Sequence, residues 1–124
     1  MNQTHIDALN ELSKAAYDNA KAKGFHDKDG DLVADYARWT ANLHGEVSEL
    51  WEAARKGHLL GLCDKAPFME DQFGACLTCE EEELADIIIR VLDTAGAREI
   101  NIGRAVLLKM AYNATRPHMH GKLA

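Results

Sequence analysis

An all-α fold is the expectation for this chain, and three features predict it. Apolar residues recur every three or four positions in four separate segments, the spacing of a helix face. Only two prolines interrupt 124 residues. Capping residues stand where the periodic segments begin, and glycines stand near the ends of the first three. The expected architecture is a four-helix bundle in a single domain, residues 1–124, with a long insertion between the second and third main helices.

The first helix is marked by Ile6, Leu9, Leu12, Ala16 and Ala20. Thr4 is its predicted cap, with Asp7 three residues on, and Gly24 its stop. Residues 25–31 are polar apart from Phe25 and read as a loop. The second helix spans residues 32–56, with Val33, Tyr36, Ala37, Leu43, Val47, Leu50 and Trp51 on its apolar side. Gly57 ends it, and Gly45 in its middle suggests close approach of another backbone. Residues 58–79 carry no sustained period and contain Pro67, so a long loop with at most one short helix is expected. Thr78 and Glu81 form a capping box for the third helix, whose stripe is Leu84, Ile87, Ile88, Val91, Leu92 and Ala95. Asn101 caps the fourth, which carries Ile102, Ala105, Val106, Leu108, Met110 and Ala111 and stops before Pro117.

Charge and cysteine usage narrow the function. The chain has 20 acidic and 14 basic residues, a formal charge of −6, which argues against a nucleic-acid polymer or a membrane surface as partner. The first residues, MNQTHIDALNEL, lack the basic and apolar regions of a signal peptide, and no apolar run spans a bilayer. A cytoplasmic location is expected. Cys63, Cys76 and Cys79 are an odd number and no disulfide framework. Cys76 and Cys79 have the spacing of half a zinc site, but its other half would have to come from Cys63 and His58 in an irregular segment. Reduced thiols are the simpler expectation.

The chemistry lies in carboxylates at helical spacing. Glu46 and Glu49 are three apart on the second helix, and Glu83 and Asp86 three apart on the third. Residues at i and i+3 share a face, and each pair runs beside an apolar stripe. If the stripes pack, four carboxylates converge. Any acidic helix yields one such pair; two pairs beside two stripes are more specific. Such a cluster needs cations, and an all-oxygen donor set suits Mg²⁺, with Mn²⁺ as substitute. Mg²⁺ commonly bridges carboxylates to phosphate oxygens. The fourth helix and its tail add cations: Lys109, Arg116, His118, His120 and Lys122, with Asn113 one turn after Lys109. These are suited to phosphate, although basic groups also simply complement a helix C-terminus.

Glu46-Val-Ser-Glu49 followed by Glu83-Leu-Ala-Asp86 resembles the E-x-x-E…E-x-x-D signature of the MazG-like all-α nucleotide pyrophosphohydrolases. AKGFHD (22–27), EELADIIIRVLD (82–93) and KMAYNATRPHMHG (109–121) are similar to stretches of the small single-domain members. The resemblance runs over roughly residues 5–122. It implies Mg²⁺-dependent hydrolysis of a nucleoside triphosphate, often a deoxynucleotide, to monophosphate and pyrophosphate. It also implies a symmetric homodimer or homotetramer whose subunits complete one another's sites. Carried over, Glu46, Glu49, Glu83 and Asp86 become metal ligands and catalytic residues. Lys109, Asn113, Arg116 and His120 become triphosphate contacts, and Asp93 a group reaching metal or sugar.

Three departures stand out. Many members open the first motif with two adjacent glutamates, where this chain has Gly45 before Glu46. The 33 residues between Glu49 and Glu83 exceed the usual spacing. His26 stands where relatives often carry Trp. The missing acid at Gly45 sustains an alternative, a helical nucleotide- or metal-binding module with little or no turnover.

Overall fold

The computed structural model describes residues 1–123. Its regular elements are all helical: α1 (Gln3–Ala22), α2 (Leu32–Arg55), α3 (Ala66–Phe73), α4 (Cys79–Ala97) and α5 (Ile102–Ala114), followed by a short 3-10 turn at His118–Gly121. Among the described residues no helix is long and apolar enough to cross a membrane. The chain divides into two compact units. One comprises Met1–Gly24 with the residues from Leu92 on, the other Phe25–Val91, so α4 contributes to both.

In the first unit α1 packs on α5. The contact is backbone-close at Gly103, where an added Cβ would stand 2.3 Å from the Ile6 carbonyl oxygen. Asn10 stitches the same place. Its amide donates to Asn101 Oδ1 at 2.9 Å, and its Oδ1 accepts from the Gly103 N–H at 2.9 Å. Further along α1, the buried Ser13 hydroxyl donates to the Leu92 carbonyl at 2.7 Å. Ile6, Leu92 and Ala95 form the apolar core there.

The second unit holds α2, α3 and the first part of α4. Trp39 is buried edge-on between His26 and Tyr36, with ring centroids 5.7 and 5.2 Å away. The preceding loop is held by charge: His26 Nδ1 lies 2.5 Å from Asp29, and Arg38 donates to both Asp29 and Asp35. The segment after α2 is more ordered than its sequence suggests. Residues on either side of α3 clip together in antiparallel fashion, with Cys63 N–H donating to Leu77 O at 2.9 Å and Cys79 N–H to Gly61 O at 2.8 Å. Pro67 sits in the first turn of α3, where its missing N–H costs nothing. Buried Cys63 and Ala66 anchor the insertion.

Helix boundaries follow local chemistry, with one correction. Asn2 caps α1, not Thr4; its side chain accepts from the His5 N–H at 3.2 Å, and Asn is at least as strong a cap as Thr. Asp31 caps α2 and Asn101 caps α5, accepting from Ala34 and Arg104 at 2.9 and 3.0 Å. The capping box of α4 is complete: Thr78 N–H donates to Glu81 at 2.9 Å and Glu81 N–H to Thr78 at 3.2 Å.

One further expectation is corrected. A Cβ at Gly45 meets nothing within 4 Å, so no backbone approaches there. Much of the apolar stripe also stays exposed in the single chain: Val33 at 80%, Trp51 at 64%, Ile88 at 57%. One chain of five helices offers too little partner surface to cover every stripe.

These glycines carry opposite expectations. Gly45→Ala removes a mid-helix glycine in open space and raises unfolding stability by about 0.5–1 kcal/mol. Gly103→Ala drives a methyl into Ile6 and lowers it by about 1–3 kcal/mol. Thermal or urea unfolding of the two variants checks both signs.

Candidate metal centre

The site is built from the middle of α2 and the first turns of α4. The capping box fixes where α4 begins and therefore the phase in which Glu83 and Asp86 leave it. Each of Glu46, Glu49, Glu83 and Asp86 offers an oxygen, and these oxygens all lie within 4.8 Å of one another. The four predicted ligands thus converge. Three are half-buried and Glu49 is exposed.

The cluster is under electrostatic load. Glu83 Oε2 is buried with no hydrogen-bonding partner. Its carboxyl is pushed up to about 7, first by burial and then by the charges of Glu49, Glu82 and Asp86. Asp86 is raised as well, by burial first and then by Glu46 and Glu82. A buried oxygen lacking a donor, among carboxylates that resist ionising together, is a donor set that could hold a metal ion. All-oxygen ligation fits a hard cation.

Cations occur at the flanks. Arg90, one turn after Asp86 on α4, donates Nε to Glu46 Oε1 at 3.1 Å, and its guanidinium lies 5.1 Å from the Phe25 ring centroid. Lys65, at the head of α3, pairs with the buried Glu82 and with Asp64, the latter at 2.9 Å. Sequence reasoning missed both. Arg90 was visible only as one residue of a motif, and Lys65 is 17 positions from its partner Glu82.

A cavity of about 400 Å³ opens beside the cluster. Glu49 and Glu83 form one wall; Lys56, His58 and Lys65 contribute others. The end of α2 sets two of these. Gly57 takes the left-handed conformation at φ 72°, Gly57 N–H returns to Ala54 O at 3.1 Å and His58 N–H to Ala53 O at 2.8 Å. That double closure turns the chain at once and leaves Lys56 and His58 beside the last turn.

The other predicted contacts lie in the other unit. Lys109 and Arg116 flank the Tyr112 ring at 4.8 and 5.6 Å, and Arg116 reaches the His120 carbonyl at 3.4 Å. Asn113 Oδ1 is buried without a hydrogen-bonding partner, and Asp93 is buried on α4. Among the described residues, no group of three or more metal-ligating side chains includes a cysteine or His58. Burial pushes the Cys63 thiol up, away from the thiolate form that metals take.

No family model, curated protein or solved structure matches the chain.

The raised Glu83 carboxyl fixes a sign. Between its ordinary value of 4.5 and about 7 the folded state holds a proton that the unfolded chain releases. Stability of the metal-free protein therefore falls as pH rises through that window. Glu83→Gln flattens the fall. Added divalent cation stabilises the wild type more at the upper end, where ligands are ionised, and stabilises Glu83→Gln far less. Melting temperature against pH, with EDTA and with Mg²⁺, reads all three.

Proposed function

We propose that the chain is a Mg²⁺-dependent nucleoside triphosphate pyrophosphohydrolase of the MazG-like kind, with Mn²⁺ as a substitute ion, acting in cleaning the nucleotide pool. The observation that carries the reading is the convergence of Glu46, Glu49, Glu83 and Asp86 around a buried, unpartnered oxygen. Magnesium held by these four would neutralise charge building on the phosphate oxygens and make water more acidic. The exposed Glu49, which lines the cavity, takes a proton from the attacking water. Oxygen of that water bonds to the α-phosphorus, and the bond from the α-phosphorus to the bridging oxygen breaks, so pyrophosphate leaves. Arg90 holds one oxygen of Glu46. The resemblance further implies substrate contacts from Lys109, Asn113, Arg116 and His120 and a metal or sugar contact from Asp93. Exposed Trp51 and Ile88 support a homodimer or homotetramer as the working assembly.

The second reading, a binding module with little turnover, is favoured by Gly45, which supplies no carboxylate beside Glu46.

Pyrophosphate release from the eight common ribo- and deoxyribonucleoside triphosphates separates the two. Release with Mg²⁺ and none with EDTA is the expected result. Glu49→Ala and Asp86→Ala lose activity by about 10²-fold or more while helical circular dichroism is kept. Nucleotides that raise the melting temperature with Mg²⁺ but release nothing establish the binding module instead.

A further inference from the structure

The cavity beside the carboxylates has a lining that selects one part of a substrate. Three cationic or polar groups face it: Lys56 and His58 from the end of α2, and Lys65 from the head of α3. No Trp, Tyr or Phe lines it, and its apolar contributions are Ala53 and Cys79. A nucleobase needs a flat or aromatic wall, which is absent here. The cavity's charged lining is two lysines and five carboxylates, so a compact polyanion fits it only together with a cation at the carboxylates. Glu49 and Glu83 belong to this wall and to the cluster at once, so a group entering here touches any ion held by the carboxylates.

Lys65 is pre-positioned. Glu82 and Asp64 hold its ammonium, and those hydrogen bonds push its pKa well above the ordinary lysine range. Lys56 is exposed and only loosely tied, 3.6 Å from Glu52. Both lysines and His58 lie in or beside the long insertion, outside the four motifs that carry the resemblance.

We infer that this cavity is the subsite for the pyrophosphate end of the substrate, with Lys56, His58 and Lys65 as its phosphate contacts and the long insertion as its wall. The inference rests on the polyphosphate chemistry proposed above, and it deepens that reading by placing the leaving group in the unit that holds the carboxylates.

Calorimetric titration of inorganic pyrophosphate into the whole chain, with Mg²⁺ present, tests it without requiring turnover. Wild type binds pyrophosphate. Lys56→Met weakens that binding about tenfold and Lys56→Met with Lys65→Met about a hundredfold. Binding of a nucleoside monophosphate and of Mg²⁺ alone stays within about twofold. A purely structural role for the lysines would shift Mg²⁺ affinity and melting temperature along with pyrophosphate. Lys56 is exposed, so its variant keeps the fold if the double variant does not. Wild type that binds no pyrophosphate, or lysine variants that bind it as tightly as wild type, overturns the subsite. Wild type that binds pyrophosphate through these lysines yet hydrolyses no nucleotide overturns the pyrophosphohydrolase reading and leaves the subsite standing.

Discussion

Like-charge repulsion among four carboxylates within 4.8 Å of one another is the constraint on which the second unit turns. Together with burial it holds the Glu83 and Asp86 carboxyls above the ordinary carboxylate range. Helix geometry creates the problem, since pairs at i and i+3 leave α2 and α4 on one face and cannot diverge. The chain relieves it at the edges. Arg90 holds Glu46, and Lys65 holds Glu82 just outside the cluster. Among the described residues no ion pair reaches Glu49, Glu83 or Asp86, and Glu83 keeps its proton up to about pH 7. The middle of the cluster is thus left to protons or to a cation.

What was legible in the sequence is what depends on neighbours in the chain. The capping box at Thr78 and Glu81, the cap at Asn101, and the glycine stop after α2 are interactions over three to five residues. Carboxylate pairs at helical spacing are local too, and only their convergence needed the fold. Thr4 failed as a cap because two adequate caps compete two residues apart, and Asn2 captures the extra half-turn.

The rest is non-local. No period announces the clip between residues 61–63 and 77–79, because its ladder is two or three backbone hydrogen bonds long. Gly45 and Gly103 look alike in sequence. One sits in open space and the other against the backbone of α1, a difference only tertiary contact decides. The cationic groups nearest the site were missed for the same reason. Lys56 reads as an ordinary helix-end base, and Lys65 gains its meaning from Glu82, across the clip. A cation beside the carboxylates can only be found this way once the insertion is folded.

The cavity's charge then dictates an order of events. It is lined by five carboxylates, Glu49, Glu52, Asp64, Glu82 and Glu83, against two lysines. With no cation present such a space repels a polyphosphate, and Lys65 is committed to Glu82 and Asp64. A divalent charge at the cluster reverses the local field, because it is larger than any single side-chain charge nearby. Phosphate oxygens would then be better partners for Lys65 than crowded carboxylates, and Lys56 has only a loose surface pair to give up. On the proposed reading, anion affinity is conditional on the cation: the acids that would gather the metal would also exclude free nucleotide until it had arrived. A site built in this way would discriminate between metal-bound and bare polyphosphate without a dedicated gate.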